Sequence, residues 1–410
     1  MRARRAALVA GVVSLAVLRP PLRGGETPGV DLPPVLAEID RRVREAFWDP
    51  KLNGADWAAA VGRAAVDLAR SKTDAERDAA YDRLLASLKD SHTFRLPAGR
   101  LPDRDWATAG LRVGREGEAY AVKGVMPGTA AERAGMRVGD RVLSVDGRLY
   151  GHERVNFRDL FLVFEGASGS TVSVTWQPAG SAQPRTDTLA RSREEPGDRL
   201  VWKSARVIRR GGKAYGYARL WGISAETALA VVDLLLDRKE AERVGGALEG
   251  WSAIDGFLLD ARANSGGYDP NILVTFLRGR WSAGDYYIRT RDGRRLKPPA
   301  YAPLPVVLLV NAATASAGES LALKFRTHGI GPIVGEETAG MASGGAAAHT
   351  LSDGSTLWLT AYAIEDLEGR RYEGRGVSPD VAVPDRPAAR PGEEDAIVEA
   401  GIRALAGRKT

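Results

Sequence analysis

The 410-residue chain has no cysteine, four histidines, four methionines and only 7% aromatic residues. Without cysteine there is no disulfide, no thiol nucleophile and no lipid-modified N-terminal cysteine. His92, His152, His328 and His349 are scattered, and none has a second His or Cys at a zinc-like spacing, so no metal and no cofactor is expected. Blocks of Lys and Arg interleaved with aromatics are also lacking. Arg2, Arg4, Arg5 and Arg19 supply four of the six net positive charges from the extreme N-terminus and leave +2 for the rest, which argues against a nucleic-acid partner. No apolar run is long enough to span a bilayer comfortably: Ala6–Leu18 has thirteen residues. Following Arg2–Arg5, that run has the form of a secretory signal, so residues 1–25 are expected to be a signal peptide or an uncleaved N-terminal anchor. The expected location is periplasmic or extracellular, with membrane contact only through that segment.

What remains is the composition of a globular protein, 44% hydrophobic and 27% charged, long enough for two or three domains. Residues 30–100 are expected to form a helical region, since Val35, Ile39, Val43 and Phe47 recur every four positions. It ends at the polar turn Lys89-Asp-Ser-His-Thr93. Residues 105–190 change to short strands punctuated by glycine, including Tyr120–Val125, Arg141–Val145 and Thr171–Trp176. Residues 205–410 alternate strand and helix: Ala214–Leu220, Ala225–Glu242, Phe257–Asp260, Pro270–Leu277, Pro305–Val310 and Ser316–Thr327 have the rhythm of βα units. A hairpin turning at Asp353-Gly354 within Thr350–Ala361 and a closing helix Ala396–Leu405 complete the pattern.

The junction Asn311-Ala-Ala-Thr-Ala-Ser-Ala-Gly-Glu-Ser320 carries most of the functional information. A serine between a buried strand and a helix stands beside unpaired first-turn N–H groups that can stabilise an oxyanion. Alone, the segment reads more readily as a helix N-cap formed by Thr314 or Ser316.

Further segments give it context. The run Val125-Met-Pro-Gly-Thr-Ala-Ala-Glu-Arg-Ala-Gly-Met-Arg-Val-Gly-Asp-Arg-Val-Leu-Ser-Val-Asp-Gly147 closely resembles a PDZ domain core. The resemblance implies that Gly110, Leu111, Arg112 and Val113 form the loop whose amides hold a peptide's terminal carboxylate. Asp90-Ser-His-Thr93, Leu259-Asp-Ala-Arg-Ala-Asn-Ser-Gly-Gly267, Thr314-Ala-Ser-Ala-Gly-Glu319 and Gly335-Glu-Glu-Thr-Ala-Gly340 resemble, in order, the serine peptidases that include the C-terminal processing proteases and the tricorn core protease. That resemblance implies an α/β core of the crotonase-like (ClpP/crotonase) type with an inserted β-rich PDZ domain, acting on peptides or unfolded proteins. In the processing proteases a lysine base follows the glycine of the GxxTxG motif. Here Met341 stands there, and a thioether accepts no proton. The tricorn-like branch pairs Ser-His with a glutamate and a second serine, and its pattern implies Ser316 as nucleophile, His92 as base, and Ser91 and Glu373 as the groups behind the imidazole. The N–H groups of Ala317 and of Gly266 or Gly267 would then form the oxyanion hole. Asp260 and Asn264 are expected to shape the turn, and His349 is the reserve base. Two other readings stay open: a Ser–Lys processing protease and a catalytically inactive PDZ adaptor.

Overall fold

The computed structural model describes residues 32–99, 106–149, 156–193, 195–279, 288–289, 295–296, 304–388, 390 and 393–407. The signal or anchor expected over residues 1–25, and His152, lie outside them.

The four-residue periodicity near the start gives the helix Pro34–Ala46, followed by Trp57–Arg70 and Asp74–Ala86. Asp56 caps the second helix, and a reciprocal Thr73–Glu76 capping box opens the third. Leu36, Ile39, Val43, Leu84 and Leu85 close one apolar cluster with Leu357 and Leu359 of the strand Thr356–Thr360. That strand pairs antiparallel with Phe94–Leu96 on one side and Ala346–Thr350 on the other. The hairpin therefore starts earlier than the sequence suggests and fastens the helical region to the rest of the chain. It also fixes the polar turn: the Thr360 hydroxyl and the His92 backbone N–H both donate to Asp90 Oδ1, at 2.6 and 3.1 Å.

A six-stranded sheet runs in the order Arg206–Arg210, Lys213–Arg219, Gly256–Asp260, Val306–Val310, Ile333–Gly335 and Val381–Ala382. Only the first pair is antiparallel. Alternate side chains serve opposite faces, as the pleat requires. Phe257, Leu259, Val306 and Leu308 join the cluster under the helices Ala225–Leu236, Asn271–Leu277 and Ala317–His328. Leu258, Val307 and Leu309 face Ile397, Val398, Ile402 and Leu405 of the helix Ala396–Ala406. The helix expected over Ala225–Glu242 breaks at Asp237, whose side chain caps Glu240 N at the start of a second short helix, Arg238–Glu242.

The remaining large sheet is antiparallel, in the order Leu111–Glu116, Ala119–Val125, Arg141–Val145, Thr171–Gln177, Arg185–Ala190, with Arg148–Leu149 paired to the third strand. Its first two strands lie against the six-stranded core through residues with little or no side chain. A Cβ on Gly114 would lie 2.6 Å from the Ala312 carbonyl oxygen, and one on Gly124 2.5 Å from Ala263 Cβ. Between them Lys123, only 1% exposed, reaches Glu116 at 3.0 Å and Glu336 at 3.1 Å.

Candidate active site

Three neighbouring parallel strands end at one place. Gly256–Asp260 leads into the loop 261–267, Val306–Val310 into 311–316, and Ile333–Gly335 into 336–341, and the carboxyl ends of parallel strands are where α/β sheets build sites. Asn311 knits the first two loops together. Its Oδ1 accepts from Ala263 N (2.8 Å) and Ala313 N (3.1 Å), while Nδ2 donates to Lys123 O and Asp385 Oδ2. Asp260 and Asn264 shape the turn as expected: Asp260 Oδ1 accepts from Arg262 N, and Asn264 Nδ2 donates to Leu220 O.

Ser316 immediately precedes the helix Ala317–His328 with φ 54° and ψ −122°, a conformation costly for a residue with a Cβ. Its N–H donates to Met341 O at 3.0 Å, and Ala315 N–H to Asn264 O at 2.9 Å, which holds it there. Its side chain makes no capping bond. Thr314 Oγ1 instead donates to Ala261 O and accepts from Asn311 N. Neither residue is therefore spent as a simple N-cap.

Ser316 Oγ faces His92 Nε2 at 3.2 Å. The other ring nitrogen, Nδ1, is 3.0 Å from Ser91 Oγ, which in turn donates to Glu373 Oε2 at 3.0 Å. Ser91 N–H donates to Glu373 Oε1 at 3.0 Å. Sequence positions 91, 92, 316 and 373 thus meet in one hydrogen-bonded chain. The glutamate reaches the imidazole through Ser91. Burial pushes the His92 imidazole down to about 4 against the opposing pull of Asp90, so the ring is neutral at ordinary pH. Phe157 stacks on it with centroids 4.8 Å apart, and Phe157 N–H donates to Ser91 O at 3.0 Å.

The glycine pair divides. Gly266 N–H donates to Asn264 Oδ1 at 2.9 Å and is not available to an oxyanion, which corrects the expectation for that residue. Its missing side chain serves another purpose, because a Cβ there would lie 2.5 Å from Ser316 Cβ and 3.0 Å from Ala317 N. Among the described residues no acceptor meets the N–H of Gly267 or of Ala317. Both line a cleft of about 460 Å³ beside Ser316, with Tyr268, Leu323, Tyr362 and Leu367 among its walls.

Gly110, Leu111, Arg112 and Val113 are all buried. Gly110 N–H donates to Thr108 Oγ1, the Arg112 guanidinium meets Leu111 O and Glu165, and Leu111 and Val113 pack with Ala315 and Met341. The open carboxylate loop expected there is corrected: the segment is buried in a cluster built mostly by its own sheet and helices, which also takes in Ala315 and Met341 of the loops around Ser316. His349 lies on the strand Ala346–Thr350, apart from the Ser316–His92 pair, and Lys324 Nζ is engaged by Asn271 Oδ1 at 2.8 Å. One member of the chain escaped the sequence: Ser343 Oγ donates to Glu373 Oε2 at 2.9 Å and lies 3.1 Å from Ser91 Oγ. Only its place just past the Gly335–Gly340 motif could have signalled it.

Residues 214–383 match peptidase family S41, and residues 122–159 match the PDZ domain. The core of the chain, residues 214–383, is of peptidase family S41. It is 27% identical over 401 residues to tricorn protease homolog 1 of Streptomyces coelicolor, covering 92% of this chain and 36% of that protein. It is likewise 27% identical over 372 residues to a carboxyl-terminal-processing protease of a Picosynechococcus species, covering 86% of this chain and 83% of the other. The chain thus spans about a third of the length of the tricorn homologues it matches. Among solved structures, the photosystem II D1 C-terminal processing protease superposes with a TM-score of 0.56 at 25% identity, covering 85% of this chain and 92% of that one. The mixed α/β architecture with a PDZ domain is that of S41 peptidases.

Proposed function

We propose that this S41 member is an exported serine peptidase that cleaves peptide bonds in peptides or unfolded proteins by a Ser-His-Glu type mechanism. The observation that carries the reading is the 3.2 Å contact of Ser316 Oγ with a neutral, buried His92 whose far nitrogen is backed by Ser91 and Glu373. Proton bookkeeping supports one direction. Glu373 Oε2 takes the hydroxyl protons of Ser91 and Ser343, so Ser91 Oγ is left to accept Nδ1–H, and Nε2 keeps the lone pair that faces Ser316. During attack Nε2 removes the Ser316 proton and later delivers it to the leaving amine, while the N–H groups of Gly267 and Ala317 receive the developing oxyanion. No cofactor enters this chemistry. The fold is read as crotonase-like, in three parts: 30–100 helical, 105–190 PDZ and 205–410 peptidase core. The PDZ part supports the catalytic loops with the face that carries Gly114, Lys123 and Gly124.

A Ser–Lys peptidase is disfavoured by Met341 and by the engagement of Lys324 with Asn271. The test is labelling of the full chain by a fluorophosphonate, with fluorescent casein as the turnover probe. Ser316→Ala should abolish both, the loss in turnover reaching about 10⁶. Labelling that persists in Ser316→Ala and disappears on changing another serine would overturn the assignment.

A further inference from the structure

Glu319 is 1% exposed, lies in the first turn of the helix that follows Ser316, and takes no part in the proton path described above. Its two oxygens instead reach across to the neighbouring loop. Oε1 accepts from Thr338 Oγ1 at 2.5 Å and from Gly340 N at 2.8 Å, and Oε2 accepts from Met341 N at 2.8 Å. Both residues it grips by their amides are themselves holding the site. Met341 O accepts the Ser316 N–H at 3.0 Å, and Gly340 O accepts the Gly374 N–H at 2.8 Å, next to Glu373. Thr338 Oγ1 accepts from Val377 N at 2.7 Å, so its own proton goes to Glu319. The 338–341 segment is thus tied at its centre to the nucleophile helix and hands one carbonyl to each end of the Ser316–His92–Ser91–Glu373 chain.

We propose that Glu319 is a positioning residue for peptide hydrolysis: as a carboxylate it clamps the 338–341 loop and so fixes both the strained backbone of Ser316 and the turn that carries Glu373. The inference rests on the reading of Ser316 as nucleophile. The carboxylate form is the one the geometry demands, because three donors point at two oxygens and a protonated carboxyl would set its own O–H against one of them. The donors around it are two backbone amides and one hydroxyl, none charged. Burial favours the protonated form, the hydrogen bonds from Thr338, Gly340 and Met341 oppose it, and the charge of Glu373 on the adjoining turn adds to burial, which together place the Glu319 carboxyl at about 7. Activity in the intact protein should therefore fall as pH drops through neutrality, well above the value of about 4 at which His92 itself protonates.

Glu319→Gln separates this role from simple filling of space. With its amide oxygen toward Thr338 and Gly340, its NH₂ meets the Met341 N–H, donor against donor, and Met341 is released from its hold on Ser316. Turnover of fluorescent casein should fall about tenfold to a hundredfold in kcat with KM little changed, the scale expected for a nucleophile displaced by about an ångström. The fluorophosphonate labelling rate of the same protein should lose its neutral acid limb and keep only the one near 4. Thr338→Val provides the second arm: it removes a donor from the carboxylate, so the labelling limb should move to higher pH than in the unmodified protein. Unchanged kcat and an unchanged limb in Glu319→Gln would overturn the proposal. So would a limb that stays in place in Thr338→Val, whether or not the glutamine variant folds. Failure of the Ser316 assignment would show separately, as labelling that survives in Ser316→Ala.

Discussion

Ser91→Ala tests whether Glu373 works on His92 through a hydroxyl. Ser91 Oγ stands 3.0 Å from His92 Nδ1 and 3.0 Å from Glu373 Oε2, so the change removes the acceptor of the imidazole proton and the bridge to the carboxylate in one step. The imidazole is 8% exposed, and a buried N–H left without an acceptor costs about 1–3 kcal/mol. At about 1.4 kcal/mol per factor of ten, a difference of that size between the resting enzyme and the transition state slows the reaction about fivefold to 150-fold. The penalty grows in the transition state, where the ring carries a full charge. It stays below the roughly 10⁴ lost when a directly bonded carboxylate is altered in a serine protease triad, because Glu373 remains in place and acts at longer range. The expected result is a loss of about 10² in kcat on fluorescent casein, with KM within about twofold and a parallel loss in fluorophosphonate labelling. A kcat within about threefold of the unmodified protein would show that Ser91 is a bystander, and a rise in KM at constant kcat would move it from the chemistry to substrate binding.

Stability should also carry the mark of His92. Its folded value of about 4 lies below the ordinary 6.5, so the unfolded chain takes up the proton first and stability present above pH 6.5 is lost as pH falls toward 4, by about 3 kcal/mol in all. His92→Leu should flatten that part of the melting-temperature profile, and an equally steep decline in the variant would refute the assignment. Gly266→Ala puts a Cβ 2.5 Å from Ser316 Cβ at φ 92° and should cost about 10² in kcat, read by casein turnover, in a protein that still folds. Phe157→Ala removes the ring stacked on His92 and should lower kcat about twofold to tenfold by the same assay, the worth of one aromatic contact. Matched free-acid and amidated peptides with the same scissile bond should be cleaved at equal rates, since Gly110–Val113 are buried. A clear preference for the free acid would show that the loop opens to bind carboxylates.

The hydrogen-bonded chain Ser316–His92–Ser91–Glu373 was legible because its members sit in short, ordered motifs. Ser316 was marked by a buried strand before it and a helix after it, and the six-stranded core by alternating βα segments. The parts that escaped depend on contacts between distant loops. Gly266 and Gly267 look alike in sequence, yet only the fold reveals that the side chain of Asn264, two residues earlier, consumes the N–H of the first. Glu319 has the spacing of a capping partner for Ser316. Its carboxylate turns instead to Thr338, Gly340 and Met341, which no local pattern encodes. The burial of Gly110–Val113 was illegible for the same reason: a strand edge is open or covered according to what the rest of the chain lays on it.

That covering bears on what the PDZ domain does here. Its face touches all three loops that meet at Ser316: Gly124 against Ala263, Gly114 against Ala312 with Lys123 O accepting from Asn311 Nδ2, and Lys123 Nζ on Glu336. Phe157 adds a further contact, on the His92 ring. A PDZ domain free to swing would have to break the Lys123–Glu336 pair and the Asn311–Lys123 hydrogen bond and uncover two glycine seats at the same time. The loops it would leave are those that hold Ser316 at φ 54° and carry Gly267. On this geometry the PDZ domain acts as the wall against which the catalytic loops are set, so a peptidase core lacking residues 105–190 should lose fluorophosphonate labelling along with turnover, even where the core still folds.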